Sequence, residues 1–80
     1  MGITYSSNLT FPQLIEAASA NLSGYAMRTA EFVRLNGSDR AARLAMIGLW
    51  YGAKGWTEAG QLYIDRAYHE SNMPGGRIKA

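Results

Sequence analysis

Apolar residues recur at three- and four-residue steps through most of this chain, the spacing that lines one face of an α-helix. In the N-terminal half they are Leu14, Ala18, Leu22, Tyr25, Thr29 and Phe32, widened by Ile15, Ala26, Ala30 and Val33. The pattern predicts one long helix over residues 11–36. Its start reads as a capping box: Thr10 can accept from the amide of residue 13, and Gln13 can reach back. Pro12 falls in the first turn, where its missing N–H does no harm. Gly24 is a weak point of about 1 kcal/mol relative to alanine, a place for a kink or a close neighbour. Asn36-Gly37 is the stop, read as a glycine in the left-handed conformation. Ser38 or Asp39 then caps a second helix over residues 39–54, which Gly55 ends. Trp56 is a link, Thr57 a cap, and Glu58 a favourable first-turn charge for a third helix over residues 57–71.

Residues 1–9 read as an extended arm and residues 73–80 as a flexible tail. Short connections force neighbouring helices antiparallel. The expected fold class is therefore all-α: one helical domain over residues 1–80, built as a three-helix antiparallel bundle with a long first helix.

The run Leu44-Ala45-Met46-Ile47-Gly48-Leu49-Trp50-Tyr51-Gly52-Ala53 carries no charge and no strongly polar side chain. It is too short to cross a bilayer, which needs about 20 apolar residues. A helix apolar on all sides must be surrounded, and a chain of 80 residues has few elements to do it. Part of this helix is expected to face another protein, and a homodimer is the most economical cover. Tyr51 and Ile47 are assigned to the internal core. Met46, Leu49, Trp50, Trp56 and Tyr63 are the candidates for the outer contact, because aromatics bury much area with few rotamers to freeze.

Residues 41–74 resemble one tetratricopeptide-type helical hairpin, whose period is about 34 residues. Leu44, Ile47, Gly48 and Tyr51 fall in register on the first helix, Gly55 in the turn, and Gly60, Ile64 and Ala67 on the second. Gly60 stands where the family usually has alanine, and Pro74 falls two residues later than the closing proline. The resemblance implies a peptide- or protein-binding scaffold whose small residues let two helix backbones approach.

The chemistry in the composition is sparse. There is no cysteine, which excludes a disulfide framework and a cysteine zinc site. His69 is the one histidine, and with Asp65 it supplies too few ligands for a metal. The serines have no local base, and Gly75-Gly76-Arg77 follows a helix instead of opening one. No catalytic residue and no cofactor is therefore expected. The net charge of +2 is slight. Arg34, Arg40 and Arg43 flank the first helix connection and serve either protein contacts or, as the alternative, a small nucleic-acid-binding regulator. The N-terminus has no secretory pattern, so a cytoplasmic location is expected. These readings converge on a small non-enzymatic protein-interaction module. The roles that suit it are an oligomeric subunit, an adaptor, or an inhibitor such as the anti-CRISPR proteins that phages direct against a host complex.

Overall fold

A computed structural model describes residues 9–71 of the chain. These residues form four helices: α1 (Phe11–Ala18), α2 (Gly24–Asn36), α3 (Asp39–Ala53) and α4 (Thr57–Ser71). The chain is all-helical, with no strand among the described residues. Of the expected arm only Leu9 is described, and it is non-helical and exposed. The expected tail lies outside the described residues.

The long first helix is corrected to two. α1 opens on the expected capping box, with the Thr10 amide donating to Gln13 Oε1 at 2.9 Å and the Gln13 amide to Thr10 Oγ1 at 3.4 Å. It ends at Ala18, and α2 begins afresh behind Ser23, whose Oγ accepts from the Ala26 amide at 3.1 Å. Between them Asn21 Nδ2 donates to the Gly52 carbonyl at 2.8 Å, tying the connector to α3. Ser23 satisfies an amide that a continuous helix would have bonded internally, so the break costs little. The apolar period runs on across it because Leu22, though not helical, turns inward and is buried.

The other boundaries fall within one residue of expectation. Ser38 is the cap of α3, its Oγ accepting from the Ala41 amide at 3.1 Å, with Asp39 in the first turn. Two local readings change. Thr57 is the first residue of α4, not its cap. Gly37 is extended, not left-handed. A Cβ there would lie 2.6 Å from Ser71 Oγ and 2.8 Å from the Val33 carbonyl oxygen, so close approach is what requires glycine. The left-handed position is Gly55 in the α3–α4 turn, with φ of 93°.

α3 is the central helix. It packs against α1, α2 and α4, and α2 also touches α4. The core is Leu14, Ala18, Leu22, Ala26, Ala30, Val33, Ala41, Ala45, Leu49, Ile64 and Ala67. Its many alanines keep the helices close. At the α3–α4 crossing glycines go further: a Cβ on Gly60 would lie 2.7 Å from the Gly48 carbonyl oxygen and 3.0 Å from the Gly52 amide nitrogen. The small-residue hairpin expected from the sequence is thus realised as backbone against backbone.

This arrangement answers much of the uncharged run from within. Ala45, Gly48, Leu49, Tyr51 and Gly52 are buried inside the chain. Leu49, expected on the outer face, is fully buried, because α1 and α2 cover the side of α3 that was assumed open. What remains of the run on the surface is a ridge that includes Met46, Ile47 and Trp50, each half-buried.

Candidate protein-binding surface

Among the described residues, one side of α3 and one side of α4 form a shared face around Tyr51, Tyr63, Arg40 and Glu70. Its two ridges are knitted by contacts along their length. Near the turn, the Tyr51 ring stacks with Trp56 and with Tyr63, at 5.3 Å and interplanar angles of 18° and 22°. Trp50 tilts against Tyr51 at 5.3 Å. Near the other end, Arg40 at the start of α3 donates from Nε to the Glu70 carboxylate at 3.0 Å, and Arg66 reaches the same carboxylate at 3.9 Å.

Tyr51 anchors this cluster. It is 1% exposed, so Trp56 and Tyr63 rest on a fixed ring. Its hydroxyl is buried with no hydrogen-bond partner among the described residues. Burial, and secondarily the neighbouring Tyr63, push its phenol above the usual value of 10.0. Trp56 is 55% exposed. Its amide donates to the Tyr51 carbonyl at 2.9 Å, so backbone and ring are both held while much of the indole faces water. Lys54 places its ammonium 4.8 Å from the centre of the Trp50 ring, a cation–π contact.

Of the residues expected to meet a partner, Trp50, Trp56 and Tyr63 come together here, and Met46 lies half-buried on the neighbouring side of α3. Leu49 does not belong to the surface. The three arginines are not a cluster. Arg34 lies over the Phe11 ring at 5.0 Å, holding α2 to the start of α1. Arg40 pairs with Glu70, and Arg43 stands exposed on the α3 ridge. Sequence reasoning missed Lys54, Arg66 and Glu70 as parts of this face. The four-residue step from Trp50 to Lys54 was a signal for the first. The Arg40–Glu70 pair spans 30 residues and becomes visible only once the hairpin is folded.

Elsewhere, Leu35 on α2 and Leu62 on α4 are exposed, and Tyr25, Phe32 and Tyr68 line a second groove between α2 and α4, the Phe32 and Tyr68 rings 6.0 Å apart. Among the described residues no group of three or more His, Cys, Asp or Glu could hold a metal. No helix there is long and apolar enough to cross a membrane. Comparison with protein-family models, curated proteins and solved structures finds no match to this chain. The tetratricopeptide likeness accordingly stays one of hairpin pattern.

Proposed function

We propose that this chain is a small non-enzymatic protein-binding module that contacts its partner through the aromatic corner at the α3–α4 turn. The observation that supports this most is Trp56: a half-exposed indole fixed by a buried tyrosine below it and a backbone hydrogen bond beside it. A large apolar side chain held still in the unbound protein loses little entropy on binding, which is what makes tryptophan and tyrosine effective anchors. Trp50 and Tyr63 widen the patch, and the exposed ends of the hairpin give it a polar rim. A module of this kind serves as an adaptor, a subunit or an inhibitor, with specificity set by the rim.

Site-directed photo-crosslinking in native extract tests the reading. A photoreactive residue at position 56 should give a discrete protein adduct, while one at Ala17, exposed on α1, should not. Equal labelling from both positions, or none from position 56, would refute it.

A further inference from the structure

We infer that Asn36-Gly37 is a self-modification site held dormant by the fold, and that opening of the α2–α3 connection lets the chain deamidate there and lock itself open. Of the asparagines Asn8, Asn21, Asn36 and Asn72, only Asn36 is followed by glycine. Deamidation begins when the next residue's backbone nitrogen attacks the asparagine side-chain carbonyl carbon. Glycine shields that nitrogen least, because it has no side chain. Here the Gly37 nitrogen gives its proton to solvent base and bonds to Asn36 Cγ. The Cγ–Nδ2 bond breaks, Nδ2 takes a proton from water and leaves as ammonia, and a five-membered succinimide remains. Water then opens the ring at one carbonyl or the other. One product is aspartate. The other is isoaspartate, whose main chain runs through the former side-chain carbonyl and is longer by one methylene.

In the folded chain both reacting groups are tethered. Asn36 is the last residue of α2, and its Nδ2 donates to the Phe32 carbonyl at 3.0 Å. The Gly37 amide donates to the Val33 carbonyl at 2.7 Å, so its nitrogen is not free to turn onto Asn36 Cγ. The connection is clamped on both sides as well. Gly37 sits against Ser71 of α4 and Ala41 of α3, and Ser38 caps α3. Attack therefore requires the last turn of α2 and this clamp to release, a local opening of the kind helix ends undergo. Isoaspartate then resists reclosure. Even a Cβ on Gly37 would lie 2.6 Å from Ser71 Oγ and 2.8 Å from the Val33 carbonyl oxygen, so the site has no slack for a longer main chain. Aspartate keeps the original main chain at an exposed position and does not block it. A transient opening is thus recorded covalently, and the frequency of opening sets the lifetime of the folded chain.

The test incubates the full chain at mildly alkaline pH, folded in buffer and unfolded in guanidinium chloride. Peptide mass spectrometry counts the product at each asparagine, and resistance to an Asp-specific protease marks isoaspartate. In denaturant the reaction should appear first at Asn36. In buffer it should run about tenfold or more slower. Ser38→Ala removes the α3 cap and should speed the reaction in buffer about fivefold, the worth of a lost cap, with no change in denaturant. Circular dichroism verifies that this variant folds, and a rate for the wild type that climbs through sub-denaturing guanidinium gives the same reading without a substitution. After separation and dilution from denaturant, the aspartyl chain and an Asn36→Asp variant should regain the native melting temperature, and the isoaspartyl chain should not. Equal rates in buffer and denaturant would overturn the dormancy. Isoaspartyl chains that regain the native melting temperature would overturn the lock. No isoaspartate at Asn36 in denaturant would overturn the site itself.

Discussion

The α3–α4 hairpin is closed by backbone meeting backbone, whereas α1 and α2 are fixed to α3 by side chains laid onto it. At the hairpin crossing, Gly48 and Gly60 leave no room for a methyl group, each facing the other's carbonyl oxygen. On the α1–α2 side, Leu14, Leu22 and Val33 fill the space, and Asn21 reaches across to the Gly52 carbonyl. Backbone atoms cannot move aside and side chains can, so the two regions should differ in tolerance. The rigid region is also the one that presents Trp56. An anchor needs a fixed base, and the glycine crossing supplies it.

The largest contrast should come from adding atoms. Gly60→Val drives a branched side chain into the Gly48 carbonyl and the Gly52 amide, and should cost about 3 kcal/mol or more. Gly24→Ala at the start of α2 meets only the flexible end of Arg28, at 3.4 Å. It should be neutral or stabilising by up to about 1 kcal/mol through the unfolded chain. Urea denaturation of both variants checks this, and similar costs would erase the distinction.

A double-mutant cycle probes where the two regions meet. Leu22 occupies the space that a side chain on Gly52 would need. Leu22→Ala alone should cost about 2–4 kcal/mol by leaving a cavity. Gly52→Ala alone should cost about 1–3 kcal/mol by overpacking. Together they should cost less than their sum by about 1 kcal/mol or more, because the new methyl occupies the vacated space. Strict additivity would show that Leu22 is not what Gly52 accommodates.

The same contrast governs what could be read from the sequence. The hairpin was legible because its punctuation is local: Ser38 before α3, Gly55 after it, and small residues placed where two helices cross. The α1–α2 break was not, because hydrophobic period is blind to a connector whose one apolar residue happens to point inward. Leu22 keeps the stripe continuous through a segment that is not helical. The available signal was the grouping of Asn21, Ser23 and Gly24, all poor in helix interiors and good at helix starts. Leu49 was misplaced for a different reason. The period shows that α3 is apolar all round, but not how many neighbours surround it, and a broken first helix covers two of its sides where a straight one would cover less. The aromatic corner was legible in its members. The charges at its rim were legible singly, and their convergence was not.

Ser23→Ala tests the break by the sign of its effect. If Ser23 caps α2, as its 3.1 Å bond from the Ala26 amide indicates, alanine should cost about 1 kcal/mol. Were residues 11–36 one continuous helix, the same change would stabilise by a few tenths of a kcal/mol through helix propensity. Thermal and urea unfolding distinguish a loss from a gain.

The smallest expected effect lies at the base of the anchor. The Tyr51 hydroxyl is buried without a partner, so it contributes a desolvation cost with no compensating bond. Tyr51→Phe keeps the ring that stacks with Trp56 and Tyr63 and removes that cost, and should raise the melting temperature by a few degrees, on the scale of a domain this size. The pH dependence sharpens the point. The phenol titrates above 10.0 in the folded chain and near 10.0 when unfolded, so between the two values the folded chain holds the proton and the unfolded one has lost it. Fewer protons on the unfolded state means that stability falls as pH rises through this window. Below pH 10 both states hold the proton and this linkage is silent; above it the unfolded chain deprotonates first, so the wild type should destabilise more steeply than Tyr51→Phe from about pH 10 upward. The quantity to measure is the difference between the two proteins across that range. A difference that stays flat with pH would place the Tyr51 hydroxyl in contact with water, and Trp56 would then rest on a looser base than the stacking distances imply.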